Sequence, residues 1–98
     1  AIAMASIDFN TTDVPTAGTR VQISSSLSQV KAIEFHARSG NTGAMYVGDS
    51  TVSSTSGREL QPGEILPLSF GDASIPFNVF YLDSATNGND CDWVVLFV

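Results

Sequence analysis

A chain of 98 residues is one domain's worth of polypeptide, and a compact monomer of this size buries roughly 64 % of its unfolded surface, enough for one modest core. The net charge of −6, four basic residues against ten acidic, with Arg20, Lys31, Arg38 and Arg58 scattered singly, excludes a nucleic-acid partner, whose phosphates are met by clustered cations, and disfavours an anionic membrane surface. Only 14 % of residues are charged while 43 % are hydrophobic, and so thin a charge shell on an apolar chain points to surface covered by something else.

In chain order, Ala1–Gly18 reads as an extended N-terminal arm of small and polar residues, anchored only by Ile2, Met4, Ile7 and Phe9 and without a helical period. The stretch Ala1–Ala5 lacks the basic flank and length of a secretory signal, so none is expected. From residue 19 to 98, β-rich runs alternate with turn clusters. Strands are predicted over Thr19–Ser24, Gln29–Arg38, Gly43–Gly48, Ile65–Phe70, Phe77–Asp83 and Cys91–Val98, with a further short one near Thr51–Ser54. Turn signals such as Asn41-Thr42-Gly43, Pro62-Gly63 and Asn87-Gly88 recur at about every 8–15 residues, the spacing of a sandwich or barrel. No apolar run approaches the ~20 residues of a membrane span. The predicted fold is therefore all-β, an antiparallel β-sandwich behind its arm.

Alternation within the strands locates the faces. In Gln29–Arg38, Ile33, Phe35 and Ala37 share one side while Glu34, His36 and Arg38 share the other, as a half-buried strand requires. The last strand differs, because Trp93, Val95 and Phe97 point one way and Val94, Leu96 and Val98 the other, so both faces are apolar. Phe77–Leu82, with Phe77, Phe80 and Leu82, is nearly as apolar on both sides. A two-layer sandwich buries only one face of each strand, and an aliphatic side chain left in water forgoes roughly 1.5–3 kcal/mol of burial. Either another subunit covers the second face or the arm folds back over it.

Signals for chemistry are sparse. One His and one Cys cannot build a four-ligand zinc site, and the lone Cys91 cannot close an intrachain disulfide, which leaves oligomerisation as the common reinforcement of a small core. His36 sits on the polar face of its strand, and no Gly-x-Ser-x-Gly elbow accompanies the many serines. The loop Asp83–Asp92 (DSATNGNDCD) supplies the hard oxygens that suit calcium, with Asp83, Asn87, Asn89 and Asp90 as candidates. It lacks the register of a calcium loop, and Asn-Gly is a hairpin signal, so a plain turn is the preferred reading. No cofactor and no catalytic residue is expected. Tyr46, facing opposite Met45 and Val47, is the candidate exposed aromatic, either an interface anchor or a platform for a sugar.

The run Ile33–Phe70 (IEFHARSGNTGAMYVGDSTVSSTSGRELQPGEILPLSF) resembles small virion proteins of tailed bacteriophages. The resemblance is carried by Asn41-Thr42-Gly43, Tyr46-Val47-Gly48-Asp49-Ser50, Val52, Gly57 and Leu60-Gln61-Pro62-Gly63-Glu64, followed by Asn78–Asp83 (NVFYLD), Asn87-Gly88 and the terminal β run. Proteins with this pattern are β-sandwich or jelly-roll modules used as capsid decoration (cement) proteins, head fibres, and tail or baseplate parts. The resemblance implies a non-enzymatic structural protein made in the host cytoplasm and placed on the outer capsid surface of the virion. Its partners would be the major capsid protein and other copies of itself, as a trimer, with no nucleic acid and no membrane. Interface residues are then expected among Ile2, Met4, Ile7, Phe9, Tyr46, Phe77, Phe80, Leu82, Val94, Leu96 and Val98. Two rival expectations are a tail, baseplate or head-fibre module and a carbohydrate-binding domain built on Tyr46 and the loops near Asn41 and Asn87.

Overall fold

The structure, a computed structural model, describes Ser6–Val98; the expected anchors Ile2 and Met4 lie outside the described residues. Nine strands follow one another: β1 (Ser6–Val14), β2 (Val21–Gln22), β3 (Gln29–Ala37), β4 (Met45–Gly48), β5 (Arg58–Leu60), β6 (Ile65–Ser69), β7 (Ile75–Pro76), β8 (Tyr81–Ser84) and β9 (Asn89–Phe97). The larger sheet has the order β1-β9-β3-β6, with β7 also on β3, and the smaller sheet the order β2-β8-β4-β5. The antiparallel pairs β1·β9, β2·β8, β3·β6 and β4·β5 are nested in sequence, first with last and inward. One long hairpin has thus been rolled up, and β3·β9 and β4·β8 complete the two sheets. This is the jelly-roll form of an antiparallel sandwich; turn spacing predicts the sandwich, and the resemblance to virion proteins implies the jelly roll.

The inner face of the larger sheet carries the expected apolar set. Ile33, Phe35 and Ala37 on β3 and Cys91, Trp93 and Val95 on β9 are buried, and they meet Met45, Val47 and Leu82 of the smaller sheet with Phe77 and Phe80 between. The rings of Phe77 and Trp93 stand edge to face at 5.2 Å, and Phe35 and Phe80 lie 5.9 Å apart, distances at which aromatic pairs add to the burial. A register shift between Val30 and Ala32 brings the fully buried Val30 into the core although it is out of phase with Ile33. Trp93 finds a partner for its indole N–H in Thr12 Oγ1, 2.9 Å away.

Three expectations about elements are corrected. Residues 6–14 of the arm are a strand, paired along the whole length of β9 from Ser6↔Phe97 to Val14↔Asn89, because β9 has a free hydrogen-bonding edge that an extended chain satisfies. Phe77–Asp83 is a strand only from Tyr81; Phe77–Val79 form a 3-10 turn, which tucks Phe77 and Phe80 into the core. Thr51–Ser54 is turn, with Ser53 bridging Ser56. Conversely, β5 and β7 are too short to signal themselves. Pro67 lies in β6, an edge strand. The bonds from Ala37 N–H to Glu64 O and from Phe70 N–H to Lys31 O fix the alternation so that position 67 faces away from β3, where a missing N–H breaks no ladder bond.

Since Phe35 is wholly buried between the sheets, Phe35→Ala is expected to cost about 3–5 kcal/mol in urea unfolding; a loss under about 1 kcal/mol would show that the core is not organised around it.

Candidate functional site

The site is the outer face of the larger sheet, and strand register builds it row by row. Ile7, Leu96, Ala32 and Ser69 line up across β1, β9, β3 and β6; the next row is Phe9, Val94, Glu34 and Pro67; the third is Thr11, Asp92, His36 and Ile65. Two of these rows are mostly apolar, and no element among the described residues covers them: Ile7 is 65 % exposed, Phe9 71 % and Val94 42 %, with Val98 and Ile65 also exposed. Leu96 and Ala32 are half-buried by their neighbours. Contiguous apolar surface of this kind marks an interaction site. Of the two ways to cover the second face of β9, the described part of the arm does not fold back over it. It lies beside β9 and widens the face with Ile7 and Phe9.

The third row is the polar end. Asp92 accepts hydrogen bonds from Thr11 Oγ1 at 2.5 Å and Arg38 Nε at 2.8 Å, and its second oxygen lies 3.3 Å from His36 Nδ1. Partial burial pushes the Asp92 carboxyl upward, but these hydrogen bonds and the Arg38 charge outweigh it and hold the group below its ordinary value. One strand pair further on, Asp13 faces Asp90 across β1·β9. Desolvation, then the hydrogen bond to Asp90 and its negative charge, raise the Asp13 carboxyl above its ordinary 3.8.

The free edge of this face is blunted. Arg38 N–H bonds to Asp90 O, so even-numbered residues of β9 bond β3 and odd-numbered ones bond β1. Phe9 and Thr11 of β1 therefore turn their N–H groups outward, where Asp8 Oδ1 and Asn10 Oδ1 accept them at 2.9 and 2.8 Å. An edge whose donors are occupied and which carries Asp8 on its inner side is a poor template for strand addition.

Several expected site residues lie elsewhere. Phe77, Phe80 and Leu82 are core residues, because the 3-10 turn and β8 direct them between the sheets, and they cannot serve an interface. Tyr46 is on the outer face of the smaller sheet, as alternation requires, but is only 8 % exposed, packed with Ala44, Val52 and Tyr81. The loop after β4 folds over it. Asp49 Oδ1 accepts from Thr51 N at 2.8 Å, Arg20 Nη1 donates to Val52 O at 3.3 Å, and Gly57 closes the loop at φ +116°, where a Cβ would stand 2.7 Å from Val47 O. The four calcium candidates are not brought to one centre. Asp83 Oδ1 accepts from Gly18 N and Ser84 N, Asn87 Oδ1 from Ala17 N, and Asn89 Oδ1 from Thr42 N, while Asp90 faces Asp13. These side chains tie loops to β8 and β9, and Asn41 does the same by bonding both the N–H and the C=O of Asp90. Cys91 is buried, and desolvation pushes its thiol up to about 12, so it is an inert core residue. Ile65, Pro67 and Ala32 are site residues that the sequence reading missed; the alternation of Ile65, Pro67 and Ser69 with Leu66 and Leu68 was the available signal.

A raised carboxyl pKa favours the protonated group in the fold, so Asp13 stabilises the protein at low pH and that contribution is lost as pH rises through its folded value. Asp13→Asn is expected to melt higher than the wild type at pH 7 and level with it near pH 3; an equal difference at both pH values would rule the like-charge contact out.

No protein-family model and no curated protein matches the chain. Among solved structures, the fold is similar to that of a pilus protein of Bacillus endospore appendages, described as a novel family of disulfide-linked pili, with a TM-score of 0.59 and 12 % identity over 95 % of this chain and 85 % of that one. At that identity the likeness is one of fold: the chain is an all-β sandwich of two antiparallel sheets.

Proposed function

We propose that this chain is a non-enzymatic structural protein of a tailed-bacteriophage virion, a decoration protein that binds the outer capsid surface and bridges capsomers. The observation that carries the reading is the apolar face that no described element covers, in which Leu96 and Val94 continue the rows begun by Ile7 and Phe9 and the exposed Val98 follows just beyond the strand. The resemblance of Ile33–Phe70 to small virion proteins supplies the class, and the same fold in a protein described as forming pili is compatible with a role in assembly. The partners are the major capsid protein and further copies of the chain, in a trimer on the analogy with decoration proteins. The acidic surface, net −6, suits basic capsid patches and speeds encounter with them. A tail, baseplate or head-fibre position would use the same face. A carbohydrate-binding role loses its aromatic platform, since Tyr46 is covered.

Sedimentation with purified capsids tests the reading. The wild type is expected to pellet with them, and the exposed-site double variant Val94→Asp/Val98→Asp to lose at least about tenfold in affinity while melting within a few degrees of the wild type. A variant that bound capsids as tightly as the wild type would refute attachment through this face, and wild type that pelleted with isolated tails alone would move the protein to the tail.

A further inference from the structure

At the opposite edge of the larger sheet from β1, the sandwich is open. The inner side chains Leu66, Leu68 and Phe70 continue past the short β5, and with Val79 they line an almost wholly apolar cleft of about 440 Å³ between β6 and the β4·β5 pair. Arg58 stands at its lip. It pairs with the core residue Val47 in the β4·β5 register, which directs its side chain toward the inter-sheet space, and no carboxylate bridges to it among the described residues. The other lip charge, Asp49, is engaged by the N–H and hydroxyl of Thr51 and lies near Arg20.

The first edge of the same sheet offers the complement. Ile7 and Phe9 are the most exposed large apolar side chains of β1. Asp8, between them in sequence but on the opposite face of the strand, bears a carboxylate with no cationic partner among the described residues. A β1 edge entering the cleft therefore turns its apolar side chains to one wall and Asp8 to the other. We propose that the cleft receives the Ile7-Asp8-Phe9 edge of a second copy of this chain, apolar side chains filling the cleft and Asp8 meeting Arg58. Two features favour a second copy over other occupants: knob and cleft lie at opposite edges of one sheet, β1 and β6, so every copy offers one of each, and their charges are opposite. Because the two surfaces differ, the contact is heterologous, closing as a small ring or continuing as a chain. It specifies the subunit contact within the oligomer invoked above and rests on that reading for its biological setting. It leaves Val94, Leu96 and Val98 free for capsid.

The test uses the purified protein alone, with mass measured by light scattering. Wild type is expected to be oligomeric, Asp8→Arg and Arg58→Glu each to raise the concentration of half-assembly about tenfold or more, and the double variant Asp8→Arg/Arg58→Glu to recover assembly. All these positions are exposed, so folding is spared. As a second measurement, Asp8→Cys and Arg58→Cys proteins are oxidised separately and mixed; the buried Cys91 is silent. Disulfide dimers in the mixture alone support the contact. A monomeric wild type, a double variant no better than the singles, or dimers from Asp8→Cys by itself would overturn it. So would monomers whose cleft resonances shift with decanoate, a result that assigns the cleft to small amphipathic carboxylates. A monomeric wild type that still pellets with capsids overturns this contact and leaves attachment standing, whereas an oligomer that ignores capsids supports the contact and refutes attachment.

Discussion

Everything in this molecule is arranged around β9. Its odd-numbered residues bond β1 and its even-numbered ones bond β3, so both hydrogen-bonding edges are satisfied within one chain. Its odd side chains Cys91, Trp93 and Val95 are core and its even ones, Val94 and Leu96, stand on the outer face. A strand satisfied on both edges has only its faces left for partners. A partner that touches β9 can therefore do so only through its outward side chains, above the larger sheet.

The alternation of β3 and β9 made the two-faced strand legible in the sequence, along with the sandwich class and most strand positions. What stayed hidden depended on tertiary context. Of the three large apolar residues in Ser6–Val14, Ile7 and Phe9 face solvent and only Val14, at its end, is buried; its strand character comes chiefly from the waiting edge of β9. Tyr46 obeyed its period-two position but was covered by a loop whose fold depends on Gly57, where a Cβ would collide with Val47 O. Phe77, Phe80 and Leu82 looked like a second two-faced strand because the 3-10 turn that gathers them inward leaves no periodic signature. The apolar end of the site was legible through Val94 and Leu96, whereas the cleft was not, since it exists only because β5 is short.

The motif residues that resemble virion proteins turn out to be architectural. Asn41, Thr42 and Gly43 fasten one loop to the start of β9 through Asp90 and Asn89, and the Tyr46–Gly57 stretch is a self-contained cover for the smaller sheet. With Tyr46 covered on the smaller sheet and the apolar rows of the larger sheet uncovered by any described element, the two faces of the sandwich are chemically unequal. Cys91 is locked in the core and offers no thiol at the surface.

The pairing of Ser6 with Phe97 also sets a timetable for folding. The first described strand has no partner until the last residues of β9 exist, and such long-range closure makes β-sandwiches slow folders. During synthesis the chain carries an unpaired β1 and an incomplete larger sheet until translation has passed Phe97. The apolar rows assemble only at that moment, so the surface suited to docking appears when the fold is finished and not before.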